Sequence, residues 1–157
     1  MELDALRNAV IREFDSGEFN GSLPLLYDEK CRHEECLYIE TVFGRKHWVT
    51  VMESMKDIPL REDILFFFSS NAFVYYMPVF ILSILDDYYN ADVLPSTFLS
   101  ILGDDIGDEK IRDGLGFGSK LKFTLGQIRV IISFANYLSE NHNDTDATDF
   151  LINIGCK

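Results

Sequence analysis

From Ile64 to Leu85 the chain runs 22 residues without a single charged side chain. That is about the length needed to cross a bilayer. The run is broken, however, by Ser69-Ser70-Asn71, three polar residues of the kind that cap a helix N-terminus. Pro78 adds an expected bend, and Tyr75 and Tyr76 fall mid-segment rather than at the two ends where a membrane interface would hold them. The pattern predicts a short apolar piece over Ile64–Phe68 and a separate helix from Ala72 to Leu85. In that helix Phe73, Tyr76, Met77, Phe80, Ile81, Ile84 and Leu85 share the surface with Val74, Val79 and Leu82. A helix that is apolar all round is one buried all round, so this element is read as the hub of a globular fold and not as a membrane span.

The rest of the sequence supplies material to surround it. At 157 residues the chain has the length of one domain, and 47% hydrophobic residues, 13 of them Phe, are enough to build a core. Leu3, Leu6, Val10 and Phe14 lie on one face of a first helix that ends at Asp15-Ser16-Gly17. Asn20-Gly21-Ser22 with Pro24 reads as loop. Leu37 to Phe43 reads as helix in preference to strand, stopped at Gly44, and Trp48, Val51, Met52 and Met55 follow helical spacing. Val93 to Leu102 gives another short helix. Thr124 caps a longer one through Ile128, Ile131, Ile132, Ala135 and Leu138, and Thr145 opens a last one that Gly155 ends. The expected architecture is mainly α, with six or seven helices around the buried central one and minor β at most. It forms one domain over residues 1–157. Gly103–Gly118, with five of the ten glycines, is expected to be an irregular acidic loop, with room for a hairpin around Leu115–Phe123.

Charge narrows the function. Fourteen basic against 26 acidic residues give a net charge of −12. Nucleic acid and anionic lipid both require Lys and Arg, so neither is an expected partner. A basic protein surface is, because negative charge steers its approach. Solubility alone is the other reading of the same number. Three cysteines make no disulfide framework and suggest a reducing compartment. No secretory leader is recognisable at the N-terminus, and the expected location is cytoplasmic.

Catalytic signatures are missing from the sequence. It contains no nucleophile elbow, and Gly114-Leu115-Gly116-Phe117-Gly118-Ser119-Lys120 fits neither the dinucleotide nor the Walker spacing. No cofactor is expected, and the chain is read as non-enzymatic. Cys31, His33 and Cys36, with His47, are the residue types that hold zinc, although Cys-x-His-x-x-Cys is not a knuckle spacing. The acids form clusters: Asp86 and Asp87 at the end of the central helix, Asp104, Asp105, Asp108, Glu109 and Asp113 in the glycine-rich stretch, and Asp144, Asp146 and Asp149 near the chain's end. Calcium-loop spacing is not met. Asp86 and Asp87 also oppose the helix dipole, which suggests placement for another purpose. With Tyr88 and Tyr89 as aromatic anchors, Asp86, Asp87, Asp104, Asp105, Asp108, Glu109 and Asp113 are the candidate contacts for a basic partner.

Three stretches carry a resemblance: Glu35-Cys36 followed by Phe43-Gly44-Arg45-Lys46-His47-Trp48, then Phe68-Ser69-Ser70-Asn71-Ala72-Phe73-Val74-Tyr75-Tyr76-Met77-Pro78, and Gln127 at the opening of the late helix. Over roughly Leu3 to Leu138 the chain resembles a bacterial family of small acidic proteins classed as a domain of unknown function. It departs from that family at Met77 and at Val79-Phe80 around the proline. The resemblance implies a shared fold. That family carries no established activity, but its small acidic members look similar, by analogy, to immunity proteins of bacterial toxin systems. With the negative charge, the expectation is an inhibitor of a basic toxin, of which a nuclease is one that carries positive charge to hold nucleic acid. The alternatives from other classes are a small regulatory protein with a metal site at Cys31–Cys36 and a structural subunit that pairs as a homodimer.

Overall fold

The computed structural model describes residues 1–56, 58, 60–106 and 121–155. Among them are seven α-helices: α1 (Leu3–Glu13), α2 (Glu34–Val42), α3 (Trp48–Ser54), α4 (Ser70–Asp86), α5 (Leu94–Ile106), α6 (Leu125–His142) and α7 (Thr145–Asn153). A 3-10 helix over Glu62–Phe67 precedes α4. The only extended pairing among the described residues is one bridge between Leu26 and Phe68, closed by Tyr27 N–H donating to Phe67 O and Ser69 N–H to Leu25 O. The fold is therefore all-α, and no described helix is long and apolar enough to cross a membrane.

The long uncharged run divides where its polar interruption predicts. Ser69 is the N-cap of α4, and its hydroxyl accepts from Ala72 N–H at 3.1 Å while donating to Pro24 O. One side chain thus starts the central helix and ties it to the loop before α2. The helix then runs through Pro78 to Asp86. It survives the proline because burial of eleven of its seventeen residues outweighs one missing hydrogen bond. The interior around it is largely rings. Phe43 meets Phe68 and Tyr76 edge-on, with centroids 5.0 Å away in both cases, and Phe80 links Phe73 to Phe98. Offset and edge-on geometries of this kind match the charge distribution of aromatic faces. The Tyr76 hydroxyl donates to Lys46 O at 2.7 Å, and burial holds this phenol well above its ordinary pKa.

The ends of the chain close the fold. α1 packs on both α4 and α6, α6 on α7, and α7 on α5. At the α1–α6 contact, Gly126 leaves room for the Glu13 carboxylate beside the start of α6, where the helix dipole favours negative charge. Thr124 and Gln127 form a reciprocal capping box there, and Gln127 also donates to Glu13 O at 3.3 Å. The α2 helix ends as expected: Gly44 takes φ +49°, and Arg45 follows at +62°.

Three sequence expectations are corrected. Gly103, Asp104 and Asp105 are not loop, because α5 continues through Ile106. Gly103 sits in a helix turn facing the ring of Phe150 on α7, so packing between these two helices extends α5 past the glycine. The expected hairpin over Leu115–Phe123 falls mostly outside the described residues, and Leu121–Phe123 is not strand. Cys31 and Cys36 are not free thiols either. They form a disulfide with Cα atoms 6.1 Å apart, both buried, fastening the loop before α2 to its first turn.

Candidate partner-binding surface

The two acids at the end of α4 have separate jobs. Asp86 accepts from Arg7 Nη2 of α1 at 2.6 Å, which answers the dipole conflict noted in the sequence: its charge is neutralised by an arginine from another helix. Asp87 is the C-cap. Its backbone N–H donates to Ser83 O, and its carboxylate accepts from Asn90 Nδ2 at 2.6 Å. Asp86 and Asp87 also line a cavity of about 350 Å³ whose other wall includes Met52, Met55 and Leu60.

Tyr88 and Tyr89 diverge as sharply. Tyr88 turns inward: its hydroxyl donates to Asp144 Oδ2 at 2.6 Å, and its ring stacks on His142 with centroids 4.0 Å apart. Burial, then the hydrogen bond and charge of Asp144, push its pKa up to about 12. Asp144 is itself a capping residue, its other oxygen accepting from Ala147 N–H at 2.8 Å to start α7. Tyr89 stands outward with 81% of its surface exposed, its ring edge-on to both Tyr88 and His142. A large aromatic ring that is exposed yet braced edge-on by two neighbouring rings loses little entropy when a partner covers it. Asp146 is exposed and close enough to act on Tyr88, and Asp87, also exposed, precedes Tyr89 by two residues. The structure thus brings Tyr88 and Tyr89 together with His142, Asp144 and Asp146 where α6 ends and α7 begins, while Asp86 and Asp87, next to them in the chain, line the cavity beside α3.

Asp104 and Asp105 lie elsewhere, in the last turn of α5 on the wall of a second cavity of about 390 Å³. Its rim carries exposed Tyr27 and Phe66. Asp105 accepts from Leu121 N–H at 3.2 Å and so helps hold the start of the segment leading into α6. Asp108, Glu109 and Asp113 lie outside the described residues.

The metal candidates do not converge. The sulfurs of Cys31 and Cys36 are bonded to each other and offer no thiolates. His33 lies over Phe67 with ring centroids 6.0 Å apart, while His47 accepts from Val49 N–H to start α3. Among the described residues no group of three or more His, Cys, Asp or Glu side chains is placed to hold a metal ion.

Sequence reasoning missed Arg7, His142, Tyr27 and Phe66. Arg7 and His142 are single polar residues on helices, and nothing in their local spacing marks the distant partners they meet. Tyr27 and Phe66 are apolar types that the sequence alone assigns to a core. No family model, curated protein or solved structure matches the chain.

Proposed function

We propose that this chain is a non-enzymatic inhibitor, an immunity-type protein that covers the basic surface of a toxin domain with the acidic, aromatic junction of α4, α6 and α7. The observation that carries the reading is Tyr89: an 81% exposed ring met edge-on by Tyr88 and His142, with Asp146 acting on Tyr88 and exposed Asp87 two residues before it in the chain. Binding hot spots have this composition, a rigid aromatic anchor with charge around it. The net charge of −12 supports a cationic partner, since it raises the encounter rate and disfavours acidic competitors. A nuclease toxin fits the same chemistry, because a protein that holds phosphate presents Lys and Arg. The finer assignment, immunity to a toxin, is by analogy alone, through a family of unknown function whose small acidic members look similar to immunity proteins.

The test is co-purification of the tagged chain from its native host at low salt, followed by titration of the retained basic protein. Tyr89→Ala combined with Asp87→Lys and Asp146→Lys is expected to weaken binding by more than about tenfold, equivalent to about 1.4 kcal/mol. The loss is expected to shrink in high salt as the charges are screened. Equal affinity for wild type and variant would overturn the assignment, as would a retained partner that is acidic. A cytoplasmic location belongs to the same proposal. There the Cys31–Cys36 pair would meet a reducing pool, so alkylation of thiols in freshly fractionated cells tests location and redox state together.

A further inference from the structure

Asn20-Gly21 is the one Asn-Gly dipeptide in the sequence, and the structure sets it in an exposed turn held firmly on both sides. Leu23 N–H donates to Asn20 O at 3.0 Å, which closes the turn. Before it, Gly17 O accepts from the Tyr75 hydroxyl and Phe19 is buried against Tyr75 and Tyr76. After it, Leu23 O accepts from Arg45 Nη1 and Pro24 O from Ser69. Within the turn, Asn20 Oδ1 accepts two hydrogen bonds from one residue, Ser22 N–H at 3.0 Å and Ser22 Oγ at 2.7 Å. This Asx turn folds the carboxamide back over the following peptide. Gly21 has no side chain to hinder approach of its nitrogen to Asn20, and the turn stands open: apart from the two chain neighbours, a Cβ built there would meet nothing within 4 Å.

From this geometry we infer that Asn20 is a site of spontaneous deamidation, with the Ser22 hydroxyl as the group that promotes it. The Gly21 amide nitrogen, on losing its proton to solvent base, attacks Asn20 Cγ. A new C–N bond forms and the carbonyl electrons move onto Oδ1. The two donors of Ser22 already point at that oxygen and stabilise the developing charge, as donors do for any tetrahedral intermediate. Collapse breaks the bond from Cγ to the side-chain nitrogen, which leaves as ammonia after taking a proton from solvent. The succinimide left behind is opened by water at either carbonyl, giving aspartate or isoaspartate. No oxidant or cofactor enters the balance. The product carries one more negative charge and, in the isoaspartyl form, one more methylene in the backbone of a turn anchored at both ends.

Peptide mapping by mass spectrometry during incubation in mildly alkaline buffer tests this. The mass gain of replacing an amide by an acid is expected first in the peptide containing Asn20, with isoaspartate as the main product there. Gly21→Ala is expected to slow it by about tenfold or more, because a Cβ hinders the attacking nitrogen. Ser22→Ala removes one donor and is expected to slow it by about three- to tenfold, while Ser22→Thr restores the rate. Gain appearing first at another asparagine would overturn the site. An Asn20 rate unchanged in Ser22→Ala would overturn the role of the hydroxyl. None of these readouts involves a partner, so the outcome is independent of the proposed inhibitor function.

Discussion

Tyr88 and Asp144 are 56 residues apart in sequence and joined by a 2.6 Å hydrogen bond from phenol to carboxylate. This contact fixes the end of the central helix to the start of the last one. It also holds Tyr88 against His142, and so sets the platform on which Tyr89 stands.

Removing the phenol tests the platform. Tyr88→Phe keeps the ring stack but leaves one oxygen of a 9% exposed carboxylate without this donor. The expected cost is about 1–2 kcal/mol, read from chemical denaturation. The variant also changes the alkaline limb. Because the folded state holds the Tyr88 pKa up to about 12, against about 10 when unfolded, its contribution is intact below about pH 10 and is lost as pH rises toward 12. Tyr88→Phe is expected to flatten that part of the stability profile relative to wild type. Tyr76, also raised by burial, leaves a residual slope.

Phe43 sits where three elements meet. It is fully buried and contacts the rings of Phe68, Tyr76 and Phe80. Phe43→Ala is expected to destabilise by about 3–5 kcal/mol through lost transfer energy and the cavity left behind. Phe43→Leu is expected to cost less, and thermal unfolding of both variants gives the comparison.

The start of α6 depends on a reciprocal pair. Thr124→Ala removes the acceptor for Gln127 N–H and is expected to cost roughly 1 kcal/mol. Gln127→Ala breaks both the box and the bond to Glu13 O, so its effect in urea denaturation is expected to be the larger of the two.

Reduction of the Cys31–Cys36 bond releases a constraint on a loop with a sequence separation of five. Closing so short a loop is worth about 2 kcal/mol by chain entropy. The thermal midpoint is expected to fall on adding reductant, and thiol titration of the unfolded protein to find two more reactive sulfurs than before. A double Cys31→Ser, Cys36→Ser variant is expected to match the reduced protein and to ignore reductant.

What could be read from the sequence was local. Ser69-Ser70-Asn71 announced the start of α4 because a capping hydroxyl acts within three residues. The 3- and 4-residue spacing of Ile128, Ile131, Ala135 and Leu138 announced α6 for a similar reason. What could not be read was long-range. The acidity of Asp86 is visible in sequence, but nothing near it says that Arg7 lies alongside. Tyr88 and Tyr89 are identical residues side by side, yet opposite phases of the chain send one to Asp144 and the other to solvent. Gly103 looked like a helix stop because its own conformational freedom argues for one, whereas the neighbouring ring of Phe150 favours continuing.

The circuit of contacts that runs from α4 to α1, α6, α7, α5 and back to α4 has a consequence for synthesis. Helix α1 packs on α6, which is made more than about a hundred residues later. At about 5–20 residues per second, α1 waits on the order of ten seconds for α6 to emerge. Until then its apolar face has only the nascent α4 to rest on, and α5 lacks α7. Closure thus waits for α6 and α7, and removing those two helices would strip cover from α1 and α5 as well.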